Sequence, residues 1–227
     1  MGGTVYFPSG IYLVSKQINL KSGRYIGDGP YSTYIKTTST SAGIFFDGGN
    51  FGVTIDGMGF TASTQNIAGS FITFSGSQCN LKDFRMELYF NGITHSGSTS
   101  VITNGYMGGS TSTSVSNVGV VLAGLDILLE NVVMDGGKGS SRPEAGIQIA
   151  GPGGGVFISH CDIVDQKHGV LINESISANV LAPYFDNCYF DSSTANAVNI
   201  SPGAQPTFFS CILMRVGLHR LVASGWC

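Results

Sequence analysis

The sequence predicts an all-β protein folded as a single-stranded parallel β-helix, a solenoid of about eight coils. Three observations predict this fold: a six-residue phrase with apolar ends recurs along the chain, a second strand-like segment recurs with it, and no stretch shows sustained helical periodicity. Only 11% of the 227 residues are charged, and Gly is frequent. Short β-branched and aromatic runs separated by turn residues are typical of β structure.

The phrase occurs seven times, and successive copies start 26, 21, 27, 29, 27 and 24 residues apart. A spacing in the twenties that varies by the length of a loop indicates repeats that stack as coils. The copies run over residues 55–60, 81–86, 102–107, 129–134, 158–163, 185–190 and 209–214.

Each copy is predicted to contain a corner. Its first, fourth and sixth residues are apolar or small, and alternation along a strand places such side chains inside the coil. The step from first to fourth breaks the period of two, so the chain must turn at the second and third places. Asn suits this turn because it tolerates left-handed backbone angles, and stacked Asn side chains form an amide ladder. The third places are Gly57, Asp83, Asn104, Asn131, His160, Asn187 and Cys211.

A second strand is predicted in each coil after a linker of variable length. These strands are expected at residues 71–74, 92–95, 119–122, 146–149, 169–172 and 197–200. Loops such as 108–117 and 135–145 take up the differences in spacing. Residues 1–214 are therefore expected to form the β-helix and residues 215–227 an irregular tail. The abrupt first strand and this tail predict a helix that is incomplete at both ends.

The cysteines are expected to be mostly core residues. Cys161 and Cys188 occupy the same place in consecutive copies, so they should lie about 4.8 Å apart in neighbouring strands. That separation permits a disulfide, but reduced thiols are favoured because free Cys behaves as a small buried hydrophobe. Cys227 is expected to be free to react.

Composition and motifs exclude several classes of function. The net charge of −3 supplies no basic surface, so nucleic acid is not an expected partner. No apolar run is long enough to span a membrane. The sequence has no phosphate-binding loop, zinc-ligand spacing or nucleophile elbow, so neither a metal nor a cofactor is expected.

The fifth and seventh places of the phrase should share one outer face, where a sugar-binding groove is predicted. Tyrosine rings cover the apolar faces of sugars, and carboxylates bind hydroxyl groups or transfer protons. The candidate catalytic residues are Asp135, Asp162 and Asp191, and the candidate substrate-binding residues are Arg85, Glu87, Tyr106 and Tyr189. Asp162 is one coil and two residues from each of the other aspartates, or about 8 Å. The alternative is that these charges only keep the surface hydrated.

A second outer column is apolar and lies directly before the phrase. Four large side chains occupy it toward the C-terminal end: Leu128, Phe157, Tyr184 and Phe208. Exposed apolar patches of this size usually mark a partner. A homotrimer that buries this column and a loop of the same chain that covers it are equally good explanations.

The opening of the chain resembles a known superfamily. The segment 2–14, followed by Gly27-Asp28-Gly29-Pro30 and Ser32-Thr33-Tyr34-Ile35, is similar to the opening of pectate-lyase-like right-handed parallel β-helices, which bacteriophage tailspikes and capsule depolymerases share. The resemblance implies a right-handed β-helix of a virion or a secreted protein that recognises bacterial surface polysaccharides. It leaves three roles open: a glycoside hydrolase, a polysaccharide lyase, and a non-catalytic protein, which would be a structural or adhesion module or an inactive truncated fragment.

Overall fold

The computed structural model describes residues 2–41, 43–108, 117–137, 142–151, 154–172, 183–200 and 205–214. Within these ranges the chain forms 22 β-strands, numbered β1 to β22 in chain order, and no helix. Neighbouring coils pair in parallel. The predicted tail 215–227, with Cys227, and most of the predicted loop 108–117 lie outside the described residues.

The strands make three faces of a solenoid. The first face consists of β1 (Gly3–Phe7), β4 (Gly23–Gly27), β7 (Val53–Ala62), β9 (Asn80–Glu87), β11 (Ser98–Gly108), β13 (Leu125–Asp135), β15 (Val156–Ser159), β18 (Tyr184–Asp186) and β21 (Thr207–Phe209). The second face consists of β2 (Gly10–Val14), β5 (Thr33–Thr37), the later halves of β7, β9, β11 and β13, and then β16 (Asp162–Val164), β19 (Tyr189–Asp191) and β22 (Ile212–Met214).

The third face is a separate sheet. It consists of β3 (Ile18–Asn19), β6 (Phe45–Phe46), β8 (Ser70–Phe74), β10 (Asn91–His95), β12 (Val118–Leu122), β14 (Ala145–Ile149), β17 (His168–Ile172) and β20 (Asn196–Ile200). From β8 onward these are the second strands that the sequence predicts. In the part of the chain that the structure describes, the eight strands are joined by seven steps, one per turn. Parallel crossovers of this kind are right-handed, and the predicted β-helix is confirmed.

The core is a set of inward columns that run along the solenoid. The first and sixth places of the first six copies are all fully buried: Ile55, Leu81, Ile102, Leu129, Ile158 and Phe185, and Phe60, Met86, Met107, Met134, Ile163 and Phe190. The third face contributes Ile72, Ile93, Val120, Ile147 and Val170 to the same core. Burial of apolar area is the main stabilising contribution in such a fold, at about 25 cal/mol per Å².

The corner between the first and second faces is made by left-handed residues, as predicted. Asp83, Asn104, Asn131, His160 and Asn187 have φ angles between 47° and 56°. The amide ladder is also present over three coils. The Asn131 side-chain amide donates to Asn104 Oδ1 at 2.9 Å, and the Asn104 amide donates to Asp83 Oδ1 at 3.0 Å.

Replacing Asn131 by Ala is expected to destabilise the protein by about 1–2 kcal/mol, because Ala has no side-chain amide and is strained in the left-handed region. Replacing Asn131 by Gly should cost less, since Gly adopts φ = 52° without strain. Urea unfolding of the two variants measures the difference. An Ala variant as stable as the Gly variant would show that the backbone angle is unimportant at this corner.

The last copy of the phrase is one residue out of the predicted register. Phe185 pairs with Phe208, and Ser210, not Cys211, is the left-handed corner residue. The Phe208 ring therefore points inward and stacks on Phe185, with centroids 4.6 Å apart. The prediction that Phe208 belongs to the outer apolar column is wrong for this reason. Thr207 takes that place and pairs with Tyr184, and Phe209, two residues after Thr207, also faces outward.

The rest of the outer apolar column lies where the sequence predicts. Leu128 pairs with Phe157, and Phe157 pairs with Tyr184. The Phe157 side chain is 51% exposed, and its ring centroid is 6.0 Å from that of Tyr184. We refer to Leu128, Phe157 and Tyr184 as the apolar stripe of the first face.

Four cysteines lie in the described residues, and all are free thiols. Cys161 and Cys188 are buried in the inward column of the fourth place, and Cys211 continues that column in a half-buried position. Their thiols make equivalent contacts with the carbonyl two residues earlier, at 3.3, 3.4 and 3.3 Å. The repeated geometry shows that they serve as small core residues.

One buried polar residue interrupts the apolar core. His95 is fully buried, shares its inward column with Phe74 and Leu122, and has no hydrogen-bond partner for either ring nitrogen among the described residues. Burial lowers the pKa of His95 from 6.5 to about 4, although the negative charge of Asp47 acts in the opposite direction. The imidazole is therefore neutral in the folded protein near neutral pH.

Replacing His95 by Leu is expected to make the protein more tolerant of acid. The unfolded chain binds a proton at this position below about pH 6.5, whereas the folded chain binds one only below about pH 4. The titration of His95 therefore does not change the stability above pH 6.5. Below that pH it lowers the free energy of unfolding progressively as the pH falls toward 4, by on the order of 3 kcal/mol in total.

Urea unfolding at about pH 7 and about pH 4.5 tests this linkage. The loss of stability between the two pH values should be smaller in His95→Leu than in the wild type. His160→Asn is the matched control, because His160 is exposed at a corner where Asn also occurs. An equally steep loss in both His95→Leu and wild type would contradict the prediction.

Candidate functional site

Two outward columns of the second face bring the predicted site residues together. One column reads Gly59, Arg85, Tyr106, Val133, Asp162 and Tyr189 from coil to coil, and the other reads Glu87, Gly108, Asp135, Val164 and Asp191. We call these the polar columns. The predicted site residues pair with their neighbours as the alignment of the repeats predicts. The reason is that the strands of the second face are in register in these copies.

The three aspartates lie within three consecutive coils. Asp162 pairs with Val133, two residues before Asp135, and Val164 lies between Asp135 and Asp191. With strands about 4.8 Å apart and residues about 3.3 Å apart, Asp162 is about 8 Å from each of the other two aspartates. Asp135 and Asp191 are two strand spacings apart, or about 9.6 Å.

The aspartates differ in their surroundings. Asp162 is exposed, whereas Asp191 is only 4% exposed and accepts hydrogen bonds from the Tyr189 hydroxyl at 3.0 Å and the Ser192 hydroxyl at 3.1 Å. Asp135 is half-buried, and its Oδ1 accepts the backbone N–H of Gly137 at 2.8 Å. One carboxylate is thus open to solvent, and one is held in place beneath the surface.

Arg85 is enclosed by aromatic rings and a carboxylate. Its Nε donates to Glu87 Oε1 at 3.0 Å, its Nη2 forms an ion pair with the same oxygen, and its Nη1 donates to the Tyr31 hydroxyl at 3.3 Å. The guanidinium carbon lies 5.1 Å from the Tyr31 ring centroid and 4.6 Å from that of Tyr106. Cation–π contacts at such distances stabilise the arrangement.

The Tyr106 ring packs within this cluster and has no face open to a sugar. Its ring lies over Gly108, where a Cβ atom would come within 2.5 Å of the ring, and Arg85 covers the ring from the neighbouring coil. Burial raises the pKa of Tyr106, and the negative charge of Asp135 adds to this effect. The exposed aromatic ring of the cluster belongs to Tyr31, which is 70% exposed.

Ion pairs line the edge where the second face meets the loops of the third. Arg142 Nη2 lies 3.1 Å from Asp165 Oδ1, and Lys167 Nζ lies 2.9 Å from Glu144 Oε2. His168 Nε2 is 3.8 Å from Glu144 Oε1, and burial lowers the pKa of His168. These side chains neutralise one another.

Sequence reasoning missed Tyr31 and the partners of Arg142. Tyr31 lies between β4 and β5, outside the phrase, so no column of the repeat contains it. Arg142 Nη1 donates to the backbone carbonyl of Ser192, fifty positions later in the chain. The only available signal for Tyr31 was its place after the Gly27-Asp28-Gly29-Pro30 turn in the opening motif.

The described residues contain no group of three or more His, Cys, Asp and Glu side chains placed to hold a metal ion. No helix in the described part of the chain could cross a membrane.

Comparison with known proteins identifies the fold. No protein-family profile matches the sequence, and no curated protein matches it. Among solved structures, the catalytic unit of a thermostable GH87 α-1,3-glucanase from Streptomyces thermodiastaticus superposes with a TM-score of 0.67 at 10% identity. The match covers 94% of this chain and 41% of the glucanase. The chain thus spans less than half of that protein.

Two further structures share the architecture. An alginate lyase from Paenibacillus sp. has a TM-score of 0.56 at 11% identity, with 94% of this chain and 91% of the lyase covered. The ORF18 protein of Geobacillus virus E2 has a TM-score of 0.54 at 17% identity, with 92% of this chain and 46% of that protein covered. These likenesses confirm the parallel β-helix fold.

Proposed function

We propose that this protein binds a polysaccharide along the polar columns and cleaves it. The observation that carries the proposal is the register, which aligns Asp135, Asp162 and Asp191 in two adjoining columns of three consecutive coils, with Tyr189 beside them. Carboxylates that share a surface with tyrosines can bind sugar hydroxyls and transfer protons.

The spacing of the aspartates favours a direct displacement by water. Two carboxylates about 6.5–9.5 Å apart leave room for a water molecule between one of them and the sugar, which is the arrangement of inverting glycosidases. Asp162 is about 8 Å from both Asp135 and Asp191. Asp162 therefore serves as one member of the acid–base pair in this proposal, and one of the other two serves as the second.

The N-terminal part of the polar columns is proposed to bind the rest of the chain of sugars. Arg85, Glu87 and Tyr106 form one rigid unit, and Tyr31 adds an exposed ring beside it. Arg85 is three strand spacings, or about 14 Å, from Asp162, so a glycan that runs along the solenoid axis can contact both. Tyr189 contacts the glycan at the C-terminal end of the polar columns in this proposal.

The names of the structurally similar proteins support this proposal. Two of them are named for action on polysaccharides, a glucanase and an alginate lyase, and the third is a viral protein. We propose by analogy that bacterial surface glycans are the substrate and that the protein works in a phage tail or outside the cell.

As a second role, we propose that the protein assembles into an oligomer through the apolar stripe. Leu128, Phe157 and Tyr184 form a continuous apolar column on the first face, away from the polar columns. A homotrimer with parallel subunits would bury it, and the same stripe would serve a non-catalytic adhesion module equally well.

Replacing Phe157 and Tyr184 together by Ser is expected to convert a trimer to monomers, which sedimentation velocity detects. Tyr31→Ser is a matched control, because it removes an exposed aromatic ring from the other outer face. A wild-type protein that is a monomer at high concentration would contradict the assembly.

Reducing-end assays with a panel of capsular and O-antigen polysaccharides test the enzymatic proposal. The wild type is expected to release new ends from at least one glycan. Activity that persists when Asp135, Asp162 and Asp191 are each replaced by Asn would contradict the proposed site.

A further inference from the structure

Three cysteines are stacked on one another inside the C-terminal coils of the described chain. Cys161 lies beside Cys188, and Cys188 lies beside Cys211, because the strands that flank them pair in continuous register. The sequence predicts a corner position for Cys211. The one-residue shift of the last copy makes Ser210 the corner and moves Cys211 into the inward column of the fourth place. We call Cys161, Cys188 and Cys211 the thiol ladder.

The three side chains of the thiol ladder have the same orientation. Each sulfur contacts the backbone carbonyl two residues earlier, at 3.3, 3.4 and 3.3 Å. Each sulfur also contacts the carbonyl of the first phrase residue in the preceding coil, at 3.8, 3.6 and 3.7 Å. Neighbouring thiols are therefore related by a shift of one strand spacing, about 4.8 Å, and their Cα–Cβ bonds point the same way.

This spacing permits a disulfide between neighbours only. Bridged cysteines have Cα atoms about 4.4–6.8 Å apart, and a strand spacing of about 4.8 Å falls within this range. The Cβ atoms of a disulfide are about 3.8 Å apart, so the bridge requires a small approach of the two strands and a rotation of the side chains. Cys161 and Cys211 are two strand spacings apart, about 9.6 Å, which exceeds the limit of about 7 Å. Cys188 is therefore a member of any disulfide within the ladder.

Cys211 is the better placed partner of Cys188. Cys161 and Cys188 are fully buried, whereas Cys211 is half-buried, so a small oxidant reaches Cys211 first. Cys161 directly precedes β16, which is hydrogen-bonded to β13 on one side and to β19 on the other. Cys211 directly precedes β22, the last described strand, which is bonded to β19. Among the described residues, bringing β22 toward β19 disturbs fewer backbone hydrogen bonds than moving β16.

We propose that Cys188 and Cys211 are a redox-active pair, which a small disulfide oxidises to a protein disulfide that clamps the last described coil to the coil before it. In a solenoid each coil contacts only its neighbours, so a coil can open locally while the rest stays folded. A bridge between two cysteines 23 positions apart in the chain opposes this opening. The proposal is independent of any action on polysaccharides.

The reaction is a thiol–disulfide exchange in two steps. The Cys211 thiolate attacks one sulfur of the small disulfide, which forms a mixed disulfide and releases the first small thiolate. The Cys188 thiolate then attacks Cys211 Sγ, which forms the protein disulfide and releases the second small thiolate. The two protein thiols lose two electrons, which reduce the small disulfide, and their two protons go to the two released thiolates.

Peptide mapping of the native protein tests the pairing. The protein carries Cys227→Ser, so that the thiol ladder and Cys79 supply its only thiols, and it is incubated with oxidised glutathione. We expect one disulfide that joins Cys188 to Cys211, with the loss of two hydrogen atoms and with reversal by dithiothreitol. Cys79 is the internal control, because Ser100 takes its place in the next coil, and it should remain reduced.

Two alanine variants distinguish the members of the ladder. Cys161→Ala and Cys188→Ala each remove one buried thiol from the same column, so their effects on packing are matched. Cys161→Ala should still form the disulfide. Cys188→Ala should stop at the mixed disulfide between Cys211 and glutathione, because the remaining ladder cysteines are too far apart. The peptide map of the Cys227→Ser protein decides the pairing in case an alanine variant does not fold.

Limited proteolysis measures the clamp. Chymotrypsin cleaves after aromatic residues, and four of them lie between the two cysteines: Tyr189, Phe190, Phe208 and Phe209. Oxidation should slow cleavage in this segment by at least about tenfold, because cleavage requires local opening and the bridge opposes it. Cleavage in the N-terminal coils is the control and should be unchanged.

The pairing and the clamp can each be contradicted. A disulfide that forms only between Cys161 and Cys188, or no protein disulfide at all, would overturn the pairing. Equal cleavage rates before and after oxidation would overturn the clamp. The polysaccharide assays are separate, so their outcome and the outcome of these experiments are distinguishable.

Discussion

Replacing Asp162 by Asn is expected to reduce polysaccharide cleavage by a factor of about 10²–10⁴, the usual contribution of a general acid or base. Asn keeps the size and polarity of the side chain but can neither take nor give the proton. Asp162 is exposed, so the substitution disturbs no packing. Cleavage rates are measured by reducing ends, and binding is measured separately by sedimentation with the polymer. The loss should appear in the rate and not in the affinity.

Asp83→Asn is the matched control for this experiment. Asp83 is an exposed carboxylate on the same side of the coil, at a corner where Asn is already used in later coils. Its replacement should leave the cleavage rate within about twofold of the wild type, because it lies outside the acid–base pair. Equal losses in the two variants would mean that Asp162 acts through the structure and not through chemistry.

Replacing Phe84 by Ala is expected to destabilise the protein by about 3–5 kcal/mol, the range for a buried aromatic ring. The Phe84 ring occupies the space over Gly105 in the next coil, where a Cβ atom would lie only 2.1 Å from Cζ of the ring. The two residues share the inward column of the fourth place. Phe84→Ala therefore leaves a cavity, and Gly105→Val alone creates a clash.

The double variant distinguishes packing from other causes. Adding Gly105→Val to Phe84→Ala fills part of the cavity, so the two substitutions together should cost less than the sum of their separate effects. Gly3→Ala is a control for the loss of glycine in a strand, since nothing lies within 4 Å of its Cβ position. Strictly additive free energies of unfolding in the double variant would contradict the contact.

The repeat allowed most of the fold to be predicted from the sequence. A solenoid makes every coil a copy of its neighbour, so one correct alignment of the phrase places inward, outward and corner residues over many coils. Asn104 and Asn131 show this best, because their left-handed backbone and their amide ladder both follow from their place in the phrase. The aspartates were brought together by the same alignment.

The alignment failed where the pattern became ambiguous. Phe208 and Phe209 are adjacent aromatic residues, and the hydrophobic pattern of the last copy fits two frames equally well. Pairing with the preceding coil selects the frame that stacks Phe208 on Phe185 and leaves Phe209, Ile212 and Met214 exposed. A sequence cannot choose between such frames without the neighbouring strand.

The candidate site could be predicted only where it lies on the repeat. The contact of Tyr31 with Arg85 joins residues from the linker between two strands and from a strand two coils later, and the ion pair of Arg142 with Asp165 also begins in a linker. Linkers vary in length from coil to coil, so they have no common register to extrapolate. The contacts that neutralise charge at the site could therefore not be predicted from the sequence alone.

The amide ladder has a direction that follows from its first member. Asn104 donates to Asp83, and Asn131 donates to Asn104. Each side-chain amide therefore donates its hydrogen bond toward the N-terminal end of the chain. An ionised carboxylate can only accept, and Asp83 therefore fixes the orientation of both amides that follow it. The side-chain dipoles then point the same way and polarise one another along the edge of the solenoid. A single acidic residue thus gives the corner a polarity, with a negative terminus at the fourth coil.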